Sequence, residues 1–532
     1  MRKHALFFWV LALAAATRFF ILFHSQTHVH SDEAIIGLMG KHILAGWYHP
    51  FYMYGQDFNA GAAWEAYLAA ASFAIFGVGV APLKGCIVVL SLVCLGLFYR
   101  MACALYGLRL AALAALVFAL SPSLLKWHFQ VRGYSWCFLS LPVLTSVFLS
   151  LESPPAARPG KMFLFGLVSG LSVWCLELGL AFNAALWLLL GLRGKLSARN
   201  GLAAAAGFLA GYGPAILFNF THHFSNWQYV FTAKTNEHIL SILFGSGTLA
   251  TIFLHDMPKF FGPDTVLWYY PETPALGLVL YFVALLAVAV ALWPFLKTPA
   301  KIGAALRGQA AASAENRDFL MLALTAACFI PYLAAPTRVP GYFLGGCFFL
   351  SILMARLVER CLAVPAALPR LAGAALLLAI LVCGVGALVE TGSRNQIETL
   401  MLNRPYKDFH VTRVPGRDIE AVEKCLGQSQ ITSVWATPSF VYPLIFESDE
   451  TRAVSGLISG WTPKVYQESV PRWELGGGQR MAFVIESDSP FRPTVEAKCA
   501  QATGEAPLVT DCGTLTVIEG KARPASTGTS PH

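Results

Sequence analysis

Two adjacent carboxylates, Asp32 and Glu33, lie in the stretch HVHSDEAIIGLMGKHIL, directly after the first apolar segment. A carboxylate can act as a general base that removes a proton from a hydroxyl group. The same two residues also precede a helical pattern, where acids at the N-cap and in the first turn stabilise a helix through its dipole. The spacing alone therefore leaves two interpretations open, a general base beside a membrane or the start of a helix.

A metal-binding interpretation of this stretch rests on three alternating residues. His28, His30 and Asp32 would point to the same side of an extended segment. Imidazole and carboxylate groups are ligands of divalent cations. We expect no metal or other cofactor, and a divalent cation on these three residues stays as the alternative.

Two more acids lie in apolar surroundings, Glu65 in GAAWEAYLAAASFAIFG and Glu177 in GLVSGLSVWCLELGLAF. A charged group on an apolar helix is costly unless it faces water or a partner. For Glu65, a functional role and a side chain that snorkels to the interface remain equally open. Glu177 lies at a polar break between two half-length helices, and an acid at that depth is a functional-site hypothesis.

Two arginines could bind an anion. Arg132 in SPSLLKWHFQVRGYS and Arg338 in APTRVPGYF lie in loops that the charge rule places outside, opposite to the side where membrane anchors collect. A guanidinium group grips a phosphate through two parallel hydrogen bonds. A lipid headgroup contact or an ion pair with the acids above would explain the same positions, so these alternatives stay open.

The elements that must position these residues are membrane helices. Of the 532 residues, 56% are hydrophobic and only 13% are charged, which is unlike a soluble globular protein. Repeated apolar runs of about 18 residues or more indicate a multi-spanning helical membrane protein. The formal net charge of +8 fits cytoplasmic loop anchors better than nucleic-acid binding, since no basic face is interleaved with aromatic residues.

Apolar runs and the Lys and Arg residues of short loops predict about eleven transmembrane helices with the N-terminus in the cytoplasm. The first, residues 5–23, is predicted to be an uncleaved anchor in which Arg18 snorkels to an interface. The run 61–77 is predicted to lie along the outer interface, and the long outer loops are 24–84 and 221–272. The other crossings are predicted at 85–105, 108–122, 133–151, 162–191 (two helices), 198–220, 273–296, 318–336, 341–360 and 369–389.

The character of the chain changes after the predicted transmembrane domain, residues 1–390. Residues 391–520 contain strand-like runs (ITSVWA, MAFVIE, LTVIEG) and a helical run (DIEAVEKCLG), which predict a small extracytoplasmic α/β domain. Residues 521–532 are predicted to be disordered. Cys499 and Cys512 form a reasonable disulfide pair if this domain is extracytoplasmic.

The stretch SDEAIIGLMGKHIL followed by FYMYGQDFNAGAAWEAYLAAASFAIFG resembles the first outer loop of bacterial GT-C glycosyltransferases. It is most similar to the protein-mannosyltransferase-like group that includes the aminoarabinose transferases of lipid A. Later stretches agree in order, namely SPSLLKWHFQVRGYS, GLVSGLSVWCLELGLAF, TRVPGYFLGGCFFL and TSVWATPSFVYPLIFESDETRAVS. The resemblance covers nearly the whole chain.

The resemblance implies a transferase that uses a polyprenyl-phosphate-linked sugar on the extracytoplasmic face of the bacterial inner membrane. Asp32 would be the general base, with Glu33 beside it, and Arg132 and Arg338 would hold the lipid phosphate. The further candidates for substrate contacts are Glu65, Glu177, Tyr54, Gln56 and Tyr342. The loop 121–134 has no Asp-x-Asp pair, unlike the metal-dependent oligosaccharyltransferases, which argues further against a metal.

The chemistry expected of such a site is one in-line displacement that inverts the anomeric centre. Asp32 accepts the proton of a lipid, glycan or protein hydroxyl while the oxygen attacks, and the arginines stabilise the leaving phosphate. One alternative is a transporter or flippase of lipid-linked sugars, which would carry deep ionisable residues and paired repeats. Another is a non-catalytic glycan-assembly protein, since a fold does not fix an activity.

Overall fold

The structure is a computed structural model. It describes residues 2–152, 158–232, 248–262, 275–308, 313–334, 340–393, 395–402, 409–429, 431, 433–448, 450, 453–456, 480–489 and 491–521. Arg338, residues 233–247 and 263–274 of the second predicted outer loop, and residues 522–532 of the predicted disordered tail lie outside these ranges.

Helices make up most of the described chain. In order they are α1 (Ala5–Ser25), α2 (Ser31–Leu44), α3 (Ala60–Phe76), α4 (Val80–Tyr106), α5 (Leu108–Leu120), α6 (Pro122–Trp127), α7 (Ser135–Glu152), α8 (Pro159–Cys175), α9 (Leu180–Leu192), α10 (Ala198–Gly211), α11 (Gly213–Thr221), α12 (Ser225–Thr232), α13 (Thr248–Thr251), α14 (Met257–Phe260), α15 (Ala275–Lys297), α16 (Ala300–Leu306), α17 (Ala314–Ala334), α18 (Leu344–Ala363), α19 (Ala367–Ser393), α20 (Gly416–Gln428), α21 (Pro438–Glu447) and α22 (Arg492–Thr503). A 3₁₀ turn at Glu177–Gly179 separates α8 from α9, which confirms the predicted break at Glu177.

Within the described ranges, five helices are long and apolar enough to cross a membrane, and α10 with α11 makes a sixth if this pair, bent by 54°, is one span. The five are Ala5–Ser25, Val80–Tyr106, Ala275–Lys297, Gly341–Ala363 and Ala367–Ser393. This confirms a multi-pass helical membrane protein. Shorter apolar helices of 10–17 residues occur between these spans, so the number eleven stays a prediction.

The chain divides into two units by its internal contacts. The first contains Met1–Ile21, Asp57–Glu65 and Gly85–Gly392, and one continuous apolar core runs through it. At the centre of this core Phe98 stacks on Phe118 with ring centroids 4.7 Å apart, and Phe348 meets both rings edge to face. Helices α8 and α10 approach closely because glycines face each other, as is common between membrane helices.

The prediction that Arg18 snorkels to an interface is wrong. Its side chain is 1% exposed and lies inside the first unit. Its guanidinium donates to the carbonyl oxygens of Ala14 (3.3 Å) and Ala119 (3.1 Å) and lies 3.2 Å from Nδ1 of His128. Ala119 is in the last turn of α5, where carbonyl groups have no partner within the helix. A cation is favourable at that end of a helix dipole, so the buried guanidinium of Arg18 caps α5.

The second unit contains Leu22–Gln56, Ala66–Lys84 and Ser393–His532. Its strands are β1 (Gln396–Leu402), β2 (Phe409–Pro415), β3 (Ser433–Ala436), β4 (Ala453–Gly456), β5 (Arg480–Glu486), β6 (Leu508–Cys512) and β7 (Leu515–Lys521). Strands β1 and β2 form an antiparallel pair from Gln396↔Pro415 to Leu402↔Phe409. The other five form one mixed sheet in the order β4-β3-β5-β7-β6, in which β3 is parallel to both β4 and β5. The small α/β fold predicted for this part of the chain is confirmed, whereas Cys499 and Cys512 are both free cysteines and the suggested disulfide is absent.

Helix α2 belongs to this second unit and packs on two helices there. A Cβ atom added to Gly37 would lie 2.6 Å from the ring of Phe446 on α21. One added to Gly40 would lie 3.0 Å from Cβ of Ala69 on α3. The glycines therefore let α2, which begins at the Asp32–Glu33 pair, lie close to both neighbours.

Candidate active site

The acid pair stands at the start of α2, and the first turn is closed by a capping box. The N–H of Asp32 donates to Nδ1 of His30 (3.3 Å), and the N–H of His30 donates to Oε2 of Glu33 (2.8 Å). This is the reciprocal arrangement known from Ser-x-x-Glu caps, with histidine in the serine position. The helix-start interpretation of the pair is thus correct for Glu33.

Glu33 is held by a second, buried interaction. Its side chain is almost fully buried, and Oε2 lies 3.2 Å from Nζ of Lys84, which is equally buried. The same ammonium group donates to Oε1 of Gln26 (3.2 Å). A buried charge that loses its partner costs roughly 3–5 kcal/mol, so this pair fixes the chain before α2 against the start of α4.

Asp32 has a different environment from its neighbour. Its side chain is 48% exposed, and its carboxylate lies 4.0 Å from Nδ1 of His30, beyond hydrogen-bonding distance. Because Nδ1 of His30 accepts the N–H of Asp32, the geometry assigns a neutral imidazole that does not neutralise the carboxylate. Asp32 therefore presents an accessible carboxylate that can accept a proton.

The three residues of the metal alternative have separate contacts. His28 is buried, with its ring nitrogens 3.6 Å from Oε1 of Glu420 and 3.9 Å from Oε1 of Glu447. Burial lowers the pKa of His28, against the effect of the nearby carboxylates. His30 caps α2, and Asp32 faces solvent. Among the described residues, no group of three or more His, Cys, Asp or Glu side chains is arranged to hold a metal ion.

Tyr54, a predicted substrate contact, belongs to a network that the sequence did not reveal. Its hydroxyl group lies 2.9 Å from Nδ1 of His42, and Nε2 of His42 lies 3.2 Å from Oε2 of Glu450. Lys41 completes the network at 2.9 Å from Oε1 of Glu450. About four hundred residues separate His42 from Glu450, and no local pattern could have paired them. The nearby Gln56 has a buried Oε1 atom without a hydrogen-bond partner in the described chain.

Glu65, in the first unit, binds backbone N–H groups through its carboxylate. It is fully buried, and its two carboxylate oxygens accept the N–H groups of Gly133 (2.7 Å) and Ser135 (2.9 Å). Ser135 is the first residue of α7, where free N–H groups and the helix dipole favour an anion. Its environment is that of a helix-capping anion and not of a side chain that snorkels to an interface.

The contact between the start of α3 and the loop before α7 requires a glycine on each side. A Cβ atom on Gly61 would lie 1.9 Å from the carbonyl oxygen of Gly133, and Gly133 itself has φ +88. Arg132 directly precedes Gly133, and its Nε atom is buried without a hydrogen-bond partner in the described chain. The guanidinium of Arg132 therefore carries one donor that no described residue satisfies.

Glu177 lies at the turn between α8 and α9, near the side chain of Asn226. Asn226 also donates to the carbonyl oxygen of Asp57 (2.7 Å), and the neighbouring Phe58 stacks on Tyr229 at 4.3 Å. Leu178 and Gly179 of the same turn line a small pocket, which Tyr342 also lines. The other lining residues are Ser140, Leu141, Ser172, Leu176, Phe182, Cys328, Gly341 and Gly345.

Comparisons with known proteins identify the fold. No family model matches the chain, and no curated protein matches it significantly. The structure of ArnT from Cupriavidus metallidurans bound to undecaprenyl phosphate is similar, with a TM-score of 0.58 and 13% identity over 96% of this chain and 97% of that one. The apo structure of the same ArnT gives a TM-score of 0.55 and 14% identity over the same shares. The apo oligosaccharyltransferase of Archaeoglobus fulgidus gives 0.51 and 13% identity, over 98% of this chain and 75% of that one.

At these identities the likeness concerns the fold. ArnT is an aminoarabinose transferase, and it shares the GT-C architecture with the oligosaccharyltransferase. The resemblance stated from the first outer loop is thereby confirmed, and the chain has the GT-C fold of these membrane glycosyltransferases.

Proposed function

We propose that this protein transfers a sugar from a polyprenyl-phosphate-linked donor to a hydroxyl acceptor at the extracytoplasmic face of the bacterial inner membrane. The fold that it shares with ArnT over 96% of the chain supports this class, since one ArnT structure is bound to undecaprenyl phosphate. The observation that carries the proposal is the contrast within the acid pair. Glu33 is buried and paired with Lys84, whereas Asp32 is half exposed at the start of α2.

In the proposed reaction Asp32 is the general base. Its carboxylate takes the proton of the acceptor hydroxyl while that oxygen forms a bond to the anomeric carbon. The bond from this carbon to the phosphate oxygen breaks, and the phosphate leaves on its lipid. A single displacement inverts the anomeric centre, and a base in this position contributes roughly 10²–10⁴ to the rate.

The proposed contacts to the sugar donor and the acceptor use the other candidate residues. Arg132, with its buried and unpartnered Nε, stabilises the charge on the leaving phosphate, and we assign Arg338 to the same task. Glu177, Tyr342, Tyr54 and Gln56 are the proposed contacts to the sugar and the acceptor, and Glu65 holds the loop that carries Arg132. A lipid phosphate is a good leaving group, so the reaction requires no metal, and the acceptor is a lipid, a glycan or a protein.

The test is sugar transfer by the purified full chain in nanodiscs, with a panel of polyprenyl-phosphate sugars and with or without EDTA. Wild type is compared with Asp32→Asn and with Asp488→Asn, a matched change of an exposed aspartate elsewhere in the second unit. We expect Asp32→Asn to lose at least about 100-fold in turnover. Asp488→Asn should keep wild-type turnover, and EDTA should have no effect.

Each other outcome removes a defined part of the proposal. Equal turnover of wild type and Asp32→Asn would reduce Asp32 to a helix-start residue. Loss of turnover in EDTA would establish a metal requirement. Failure of wild type with every donor of the panel would reject the transferase and leave the transporter and assembly alternatives.

A further inference from the structure

The two chain segments that Glu65 joins carry three nitrogen atoms that are buried hydrogen-bond donors without an acceptor in the described chain. They are Nε1 of Trp64, Nε1 of Trp136 and Nε of Arg132, and none of the three has a partner within the described chain. Each nitrogen is closed to water, so a solvent molecule does not satisfy it in this arrangement. Most buried polar groups in proteins are paired, so three unpaired donors on two adjoining segments require an explanation.

The three donors belong to one junction, formed by the start of α3 and residues 130–136. These residues comprise the end of the loop before α7 and the first two residues of α7, and we call them the loop 130–136. The rings of Trp64 and Trp136 meet edge to face with centroids 4.8 Å apart. Glu65, the residue after Trp64, accepts the N–H groups of Gly133 and Ser135, the neighbours of Arg132 and Trp136. These bonds hold the two chain segments together, so that the two indoles lie side by side and Arg132 lies on the same segment as one of them.

The unpaired donors are costly, and local contacts do not remove the cost. A buried donor without an acceptor destabilises a protein by roughly 1–3 kcal/mol. An edge-to-face pair of indoles can direct at most one N–H at the partner ring, and such a contact is weak. The second indole and the guanidinium remain unsatisfied. An incoming group that brings acceptor oxygens would relieve these costs and gain that energy as binding.

The chemistry of the junction specifies what that group is. Indole N–H and guanidinium N–H groups are donors only, and their complement is a group that only accepts. The phosphodiester of a lipid-linked sugar meets this condition, because its free oxygens carry negative charge and no proton. The same loop also holds two buried oxygens without a partner in the described residues, Oε1 of Gln130 and the hydroxyl oxygen of Ser135. Sugar hydroxyl groups can donate to such oxygens.

We propose that this junction binds the phosphodiester head group of the lipid-linked donor, with Trp64, Trp136 and Arg132 as donors to the phosphate and Gln130 and Ser135 as acceptors from the sugar. The inference rests on the proposed function and adds indole groups to the arginine assigned there. Because the nitrogens are closed off, entry of the head group must widen the loop 130–136.

The test is direct binding of undecaprenyl phosphate to the detergent-solubilised full chain, measured by native mass spectrometry. Trp64→Phe and Trp136→Phe keep a ring and delete the N–H group. We expect each to weaken the affinity about 10-fold, the effect of one lost hydrogen bond to a charged group. Trp187→Phe is the matched control, since Nε1 of Trp187 already donates to Ser169 at 3.1 Å. It should bind as wild type does.

Competing ligands define the chemistry. Undecaprenol, which lacks the phosphate, should bind at least about 10-fold more weakly. Phosphatidylglycerol tests whether an ordinary bilayer lipid binds in place of the polyprenyl ligand, and inorganic phosphate tests whether a free anion does. The thermal midpoint of each variant shows that it is folded, and Arg132→Gln provides a third variant if an indole change prevents folding.

Two results would overturn the assignment, namely unchanged affinity in both indole variants or equal binding of undecaprenol and its phosphate by wild type. Absence of all phosphate binding by wild type would overturn it as well. The chain could bind the phosphate through the indoles and still transfer no sugar. That result would support this binding site and reject the proposed transferase activity.

Discussion

At the residue scale, burial gives two neighbouring acids different tasks. Glu33 is closed off and paired with the buried Lys84, while the Asp32 carboxylate is accessible and makes no hydrogen bond within the described ranges. A general base must reach its substrate, whereas a buried ion pair must exclude solvent. The pair therefore combines a structural carboxylate with a candidate base on adjacent residues.

Glu33→Gln should destabilise the protein without acting on the proton transfer itself. The change leaves the ammonium group of Lys84 buried and unpaired, at a cost of roughly 3–5 kcal/mol. We expect a clearly lower thermal midpoint for Glu33→Gln and a much smaller decrease for Asp32→Asn, whose first-turn carboxylate contributes about 0.3–1 kcal/mol through the helix dipole. Both are measured by differential scanning fluorimetry in detergent. The double variant Glu33→Gln with Lys84→Met should recover part of the loss. Equal midpoints for wild type and Glu33→Gln would show that the ion pair contributes nothing.

His28 should make stability depend on pH. Burial lowers its pKa below the usual value of 6.5, against the opposing effect of Glu423 and Glu420. Well above pH 6.5 the ring is neutral in both states. As the pH falls below this value the unfolded chain binds a proton first, so the stability contributed by the neutral ring is lost as the pH falls through the lowered pKa.

The measurement is the thermal midpoint of wild type and His28→Asn between pH 7.5 and pH 5, a range of about one unit or more on either side of the usual histidine pKa. Wild type should lose stability on acidification more steeply than the variant. Parallel curves would mean that His28 does not couple to folding. Lys84 and Glu447 also face the ring, and both are unchanged in this comparison.

At the element scale, glycines set the distance between α8 and α10. Added Cβ atoms on Gly166 and Gly170 of α8 would lie 1.9 Å from the carbonyl oxygen of Ala204 and 2.2 Å from that of Phe208. Gly207 on α10 is equally close, 2.1 Å from the carbonyl oxygen of Phe163. Helix α8 leads directly to the turn of Glu177, so this contact also positions one of the candidate site residues.

Gly207→Ala should therefore force the two helices apart and cost about 1–3 kcal/mol, the range for overpacking a closed contact. Gly201→Ala lies on the same helix with open space around the added atom, and it should be neutral or stabilising by up to about 1 kcal/mol. The measurement is the thermal midpoint of both variants in detergent, compared with that of wild type. A loss in Gly201→Ala as large as in Gly207→Ala would reject the packing argument.

Local patterns predicted elements well and long-range pairs poorly. Apolar runs and turn residues predicted the helices on both sides of Glu177 and the strands of the α/β fold, because each signal lies within a few residues. The partners of Glu33, Glu65 and His42 lie far away in the sequence, and only the folded chain brings them together. Arg18 was misjudged for the same reason, since the free carbonyl at the end of α5 lies 101 residues away.

At the scale of the whole molecule, the contacts constrain the topology. Residues 24–56 and 66–84 of the first outer loop belong to one unit with the C-terminal α/β segment, and Glu450 bonds to both Lys41 and His42. Side chains that form direct ion pairs outside the apolar spans must lie on the same side of the membrane, so Glu450 lies on the side of Lys41 and His42. If the loop 24–84 is extracytoplasmic, as the charge rule predicts, the C-terminal segment is extracytoplasmic too.

Reporter fusions test this orientation in a bacterial host. Alkaline phosphatase fused after Lys521 should be active, because it folds only outside the cytoplasm, and green fluorescent protein at the same position should stay dark. Fusions after Lys297, at the start of a predicted inner loop, should show the reverse. An active phosphatase at Lys297 with an inactive one at Lys521 would invert the predicted orientation.

The packing of α2 has a consequence for engineering. The helix that starts at the candidate base rests on Phe446 of α21, and its other end is joined through Lys41 and His42 to Glu450. The C-terminal segment is therefore not a detachable module, and a truncation before Ser393 would leave the base on a helix without its support. Chimeras that exchange this segment between related proteins should retain activity only when α2 is exchanged along with it.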